Sequence, residues 1–215
     1  MEFIKQTIDL FHKGGPVMYL LVACSIFVVT IAIERFMYYR KVHTNNHVFR
    51  NKLQASLDKH NLTEAIQFCQ QSPAALAQVA VAGLQASHRG AHVDIAVESA
   101  ASLAAANLRE HLDDLSTVVT LAPLLGLLGT VIGMIGSFSV FNVQSGQPMA
   151  ITGGVGEALI ATATGLSVAT LALLTHSYFS RRVNKFVTEI EQVSALVLGY
   201  MPAKKAARRD THEIA

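Results

Sequence analysis

Between Leu115 and Ser180 the sequence carries a single Asp, Glu, Lys or Arg, the carboxylate Glu157. An ionisable side chain inside so apolar a stretch is expensive to keep in a membrane and by default marks a functional site. The chemistry open to a lone carboxylate there is uptake and release of a proton. A competing reading places Glu157 at a helix N-terminus, where the dipole favours a negative charge. Its neighbourhood is polar for a membrane span: Gly156-Glu157-Ala158-Leu159-Ile160-Ala161-Thr162-Ala163-Thr164-Gly165 holds two hydroxyls among small residues. On a straight helix Glu157, Ala161, Thr164, Val168 and Thr175 share one face, a narrow polar track. Upstream, Gly126, Gly129, Gly133 and Gly136 fall on a stripe about 80° wide, with Thr130 and Ser137 beside it. Small residues in such a stripe let membrane helices approach closely, and the seam is a candidate pathway lining. Pro123 should free a carbonyl or kink its helix near one edge of the bilayer.

These residues need membrane helices to hold them. Leu115–Gly156 and Ala158–Ser180 are each free of Asp, Glu, Lys and Arg, with His176 the only other titratable side chain. About 20 apolar residues make one crossing, so the two runs form a hairpin of two spans. A third apolar run, Val17–Ile33, ends in Glu34-Arg35 and lacks a small-residue cleavage site, which reads as a retained helix rather than a signal peptide. Mean hydropathy of +0.38 and only 15% charged residues agree with a membrane protein carrying a polar portion.

In order, the chain reads as follows. Residues 1–15 form an amphipathic segment with Ile4, Ile8 and Phe11 at helical spacing, and 16–39 form the first transmembrane helix. Residues 40–114 form a helical domain, with a helix start at Asn61-Leu62-Thr63-Glu64 and a turn at Gln71-Ser72-Pro73. Its last helix, from Asp94, is expected to run unbroken into the second crossing, 115–143. A Gly-rich turn with Pro148 occupies 144–156, and the third crossing occupies 157–180. A helical extension with Phe186, Ile190, Val193 and Val197 on one face covers 181–200, followed by a basic tail at 201–215. The fold class is all-α, a three-span membrane protein whose second and third helices extend into the helical domain.

Fifteen of the 17 Lys and Arg residues lie in 34–114 and 181–215. By the positive-inside rule the helical domain and C-terminus are cytoplasmic, and the N-terminus and Gly-rich turn are periplasmic. The net charge of +2 gives no reason to expect nucleic acid. Cys24 and Cys69 lie in dissimilar surroundings and imply no disulfide framework. His43/His47 and His88/His92 are i,i+4 pairs that could ligate a metal from a helix, but no acidic or cysteine partner is near them and no metal site is expected. Hydrolase motifs are absent, so an intramembrane enzyme would have to rest on His176 and a Ser or Thr. The chain is read as a non-enzyme.

The run Ala122-Pro123-Leu124-Leu125-Gly126-Leu127-Leu128-Gly129-Thr130-Val131-Ile132-Gly133-Met134, with Gly156–Leu166, closely resembles the MotA/TolQ/ExbB proton-channel family. The three-span layout resembles ExbB, and then TolQ, more than the four-span MotA. The resemblance implies the channel-forming subunit of a proton-driven motor, a homopentamer around a pore occupied by a dimer of single-span ExbD- or TolR-like subunits. It implies that the motor energises a TonB-type (or TolA-like) protein reaching across the periplasm, from a bacterial inner-membrane location. No cofactor is implied beyond protons as the coupling ion. Position by position, Glu157 matches the family's pore-region Glu, Thr130 its second-helix Thr and Thr162 its third-helix Thr. Ile132 stands where members usually carry Trp, and Leu171 where they often carry Pro. The helical wheel places Thr164, not Thr162, on the Glu157 face, so Thr164 is kept as a secondary candidate. A TolQ-like role in the Tol-Pal envelope system and a non-energised scaffold are the alternatives.

Overall fold

The structure, a computed structural model, describes residues 15–59, 61–143 and 148–200, with side chains described outside 139–152. Segment 1–15 (apart from Gly15) and the tail 201–215 therefore lie outside the described residues. Among the described residues seven helices follow one another: α1 Val17–Val42, α2 Asn46–Asp58, α3 Leu62–Gln70, α4 Ala75–His88, α5 Val93–Arg109, α6 Leu112–Val143 and α7 Pro148–Tyr200. No strand occurs among the described residues. Three stretches, containing α1, α6 and α7, are long and apolar enough to cross a membrane. The chain divides into two compact units. Of the described residues, one comprises those within 15–37 and 110–181, and the other those within 38–109 and 182–200.

The first unit holds the apolar parts of α1, α6 and α7. Two features depart from the sequence reading. The helix expected to run unbroken from Asp94 into the membrane span is interrupted at Glu110-His111. His111 sits in the left-handed region at φ 61°, and one such residue ends the α-helical ladder. The ladder restarts where Leu115 N donates to the His111 carbonyl at 3.2 Å. The His111 ring meets Asp114 Oδ2 at 2.9 Å. With neither Gly nor Pro at the break, composition gave no sign of it. Glu110 also accepts from Arg35 Nη2 at 3.1 Å, and Arg35 is 2% exposed.

The second departure is the Gly-rich turn. Residues 148–156 are helical, and α7 starts at Pro148, whose fixed φ and missing N–H suit a first helical position. Gly154 belongs to helix packing, whereas Gly153 and Gly156 have nothing within 4 Å of their β-positions. A β-carbon on Gly154 would overlap Ser137 Oγ and stand 3.0 Å from the Gly133 carbonyl oxygen. Only Gly admits α6 so close.

In the second unit α2 to α5 pack with the end of α7. Asn45 and Asn61 cap α2 and α3, their side chains accepting from Val48 N at 3.4 Å and Glu64 N at 3.3 Å. Leu53, Leu84, Leu108, Val193 and Val197 are fully buried. Phe186 and Ile190 are also buried, completing the apolar face expected of the α7 extension. Gly83 marks the meeting of three helices, since a β-carbon there would lie 2.8 Å from Val197 Cγ1 and also strike Val97. Tyr39 donates to the Leu108 carbonyl at 2.8 Å, which satisfies a buried hydroxyl.

Candidate functional site

The small-residue stripe of α6 packs against a matching stripe of α7. Gly154, Ala158, Ala161 and Gly165 recur at spacings of 4, 3 and 4, so they share one helical face. A β-carbon on Gly126 would lie 3.2 Å from both Ala161 O and Thr162 Cα. One on Gly129 would strike Ala161 Cβ, and one on Gly133 would lie 3.1 Å from Ala158 Cβ. The closest crossing is at Gly165, where a β-carbon would lie 2.6 Å from Ala122 O and 2.9 Å from Gly126 Cα. Rising numbers on α6 meet falling numbers on α7, so the helices are antiparallel. Gly136, expected in the same seam, has nothing within 4 Å of its β-position and lies outside it.

Two threonines bracket one peptide unit of this seam. Thr162 Oγ1 donates across the helices to the Gly126 carbonyl at 3.2 Å, and Thr130 Oγ1 donates to the next carbonyl, Leu127, at 2.6 Å. Both hydroxyls therefore spend their proton on α6 carbonyls and keep lone pairs to accept. Pro123 remains inside α6 one turn before Gly126, where its missing N–H leaves the carbonyl of Val119 without its helical donor. Thr164 donates within its own helix, to Ile160 O at 2.9 Å. The family-matched Thr162, and not the wheel-favoured Thr164, is the residue that joins the two helices.

Glu157 stands nine residues after the first residue of α7, and no acidic residue occupies that helix's first turn. The helix-dipole reading fails, because the dipole acts on charges within the first turn. Its half-buried side chain reaches the turn that opens α1. Gly15 has φ 69° and its carbonyl accepts from Met18 N at 3.2 Å. A β-carbon on Gly15 would overlap Glu157 Oε1. Glu157 forms no hydrogen bond or ion pair among the described residues. A contact between residues 142 positions apart could not be read from the sequence.

The remaining candidates lie apart. Both His pairs straddle helix breaks: α1 ends at Val42 and α2 begins at Asn46, while Gly90, at φ 68°, separates α4 from α5. Neither pair shares the one helix face that a metal reading required. His47 meets Asn51 at 3.3 Å, His43 packs edge-on to Phe186, and His92 lies 4.0 Å from Asp94. His176 is half-buried in α7 and has no hydroxyl partner among the described residues. In the second unit, burial pushes the Cys69 thiol up to about 12. The Tyr200 hydroxyl, which donates to Asp58 at 2.5 Å, is also raised, chiefly by that bond.

A model of the MotA/TolQ/ExbB proton channel family matches residues 32–192, which is 161 of the 215 residues and includes Pro123, Thr130, Glu157 and Thr162. The chain belongs to that family. Among similar proteins, a biopolymer transport protein ExbB-like 1 of Synechocystis is 36% identical over 182 residues, covering 80% of this chain and 71% of the relative. A biopolymer transport protein ExbB homolog of Methanothermobacter thermautotrophicus is 28% identical over 198 residues, covering 91% of this chain and 71% of the relative. This MotA/TolQ/ExbB protein is accordingly a multi-pass membrane protein of a proton-channel family, which is not an enzyme class. Members of the family work in complexes with partner proteins.

Proposed function

We propose that this chain is the channel-forming subunit of a proton-motive-force-driven motor, ExbB-like, in which Glu157 is the proton-carrying group. The observation that carries the reading is the placement of Glu157. It is the one Asp, Glu, Lys or Arg between Leu115 and Ser180, and it lies two and a half turns inside α7 instead of at its cap. Thr130 and Thr162 supply the hydroxyls beside it along the α6–α7 seam, and Thr164 is a secondary member. Protons are the coupling ion and no other cofactor is required. Each charge crossing 100 mV releases about 2.3 kcal/mol, enough to bias a conformational step.

In this reading the chain forms a homo-oligomer, a pentamer by resemblance, around a dimer of single-span ExbD- or TolR-like subunits that supplies an acidic partner for Glu157. It sits in the bacterial inner membrane with the N-terminus periplasmic and the helical unit and C-terminus cytoplasmic. Its work is delivered to a TonB-type protein that serves outer-membrane import; a TolQ-like role in the Tol-Pal envelope system is the alternative. The relatives' description as biopolymer transport proteins favours the import reading.

The test is proton uptake into liposomes that hold the chain with its co-purifying partner. Uptake by wild type that is lost in Glu157→Gln, with assembly intact, is the expected result. Equal uptake by both would remove Glu157 from the path and favour a non-energised scaffold. The identity of the co-purifying proteins separates import from Tol-Pal.

A further inference from the structure

Within the first unit α1 and α7 enclose a groove of about 570 Å³ that the seam between α6 and α7 does not touch. It runs from Ser25 to Met37 on α1 and from Val168 to Phe179 on α7. Twelve helical steps amount to about 18 Å, and one leaflet of hydrocarbon is about 15 Å deep. Val28, Val168 and Phe179 are buried and form the floor, whereas Phe36, Leu174 and Tyr178 are exposed along the rim. The groove is therefore open sideways, toward whatever surrounds the spans.

One end of the groove is charged. Leu171, Leu174, Tyr178 and Arg181 lie on a common face of α7 about 80° wide, so Arg181 follows Tyr178 on that face, two residues after Phe179, the last residue lining the groove. Arg181 is exposed and makes one hydrogen bond among the described residues, to Ser177 Oγ at 3.2 Å. Glu34, the carboxylate nearest this level on α1, is engaged by Arg35 Nε at 2.7 Å. A one-leaflet apolar groove that ends in an aromatic ring and an available cation has the chemistry of a phospholipid: acyl chain along the floor, phosphate at the Arg.

We infer that the α1–α7 groove is a binding site for an acidic phospholipid, with Arg181 as its headgroup ligand. The orientation proposed above places Arg181 at the cytoplasmic leaflet, where anionic lipids set the surface potential and basic pockets between spans bind acidic headgroups. The site is separate from Glu157 and does not require the channel reading.

The inference is tested by native mass spectrometry of the full-length protein, in the oligomeric form in which it is isolated, titrated with phosphatidylglycerol and with phosphatidylcholine of identical acyl chains. Wild type is expected to retain phosphatidylglycerol about fivefold more tightly. Arg181→Gln should erase the preference yet still retain both lipids. Ala32→Trp fills the groove and should expel both; should it fail to fold, Ala32→Leu should weaken both with unchanged headgroup preference. A preference absent from wild type, or unaltered in Arg181→Gln, overturns the site, as does undiminished retention in the groove-filling variants. Leu174→Cys in a Cys24→Ser background should be labelled in membranes by a lipid-soluble maleimide. Protection of that cysteine would mean that a second copy covers the groove, and would equally overturn the lipid assignment.

Discussion

Oε1 of Glu157 occupies the space where a β-carbon of Gly15 would stand, so the one carboxylate between Leu115 and Ser180 is met by the turn that opens α1. Glycine is required at this point on two counts. Its φ of 69° is left-handed, and any β-carbon would enter the space of the carboxylate.

Gly15→Ala is therefore expected to lower proton flux by moving Glu157, in addition to a backbone cost of about 1 kcal/mol. Gly90 separates the two effects. It has nearly the same φ, 68°, but nothing within 4 Å of its β-position. Gly90→Ala should show the stability loss alone, so flux and thermal melting measured on both variants resolve contact from strain. Equal flux in the two variants would remove Gly15 from any role at Glu157.

The glycines of α6 should respond unequally to one added methyl. Gly126 faces α7 backbone at 3.2 Å, which cannot yield as a side-chain end can. Gly126→Ala is expected to destabilise the helix pair by about 1–3 kcal/mol. Gly136 faces open space within the chain, so Gly136→Ala should be neutral or stabilising by up to about 1 kcal/mol through helix propensity. Melting of the purified protein in detergent checks both. A large loss in Gly136→Ala would place that residue against another chain.

Among the described residues Thr162 carries the one side-chain hydrogen bond across the seam, to Gly126 O at 3.2 Å. Thr162→Val should cost about 0.6 kcal/mol, the average for such bonds in membranes, and less than about 1.7. Thr162→Ser should restore it. If the hydroxyl also serves the proton path, flux in Thr162→Val will fall by far more than so small a destabilisation explains. Thr164→Val, whose hydroxyl bonds within its own helix, is the control.

Cys69 reports on the second unit. Its thiol is 1% exposed and held up to about 12 by burial, against an ordinary value of 9.0. The raised value belongs to the folded state, so the unfolded chain releases this proton first. Stability from keeping the thiol neutral is intact below pH 9 and is lost progressively as pH rises toward 12. Maleimide should leave Cys69 unmodified at pH 8 and react once denaturant opens α3. Cys69→Ala should abolish that part of the alkaline destabilisation.

The sequence alone determined the helical class, the three spans and the singular position of Glu157. Hydropathy and charge are properties of consecutive residues, and a bilayer reads them segment by segment. The α6 seam was also visible, since glycine spacing on one helix fixes a face whatever packs there. Its partner stripe, Gly154, Ala158, Ala161 and Gly165, was present in the same form but lay partly under residues read as a turn. Tertiary structure decided what depends on distant partners. At Gly154, which lies in residues read as a turn, α6 packs where a side chain would be. At His111 the helix is interrupted without Gly or Pro, at a left-handed φ of 61°. Thr162 rather than Thr164 joins the helices, and Gly15 meets Glu157, because the crossing of α6 with α7 and the entry angle of α1 select those pairs. Neither is encoded in the spacing of residues along one helix.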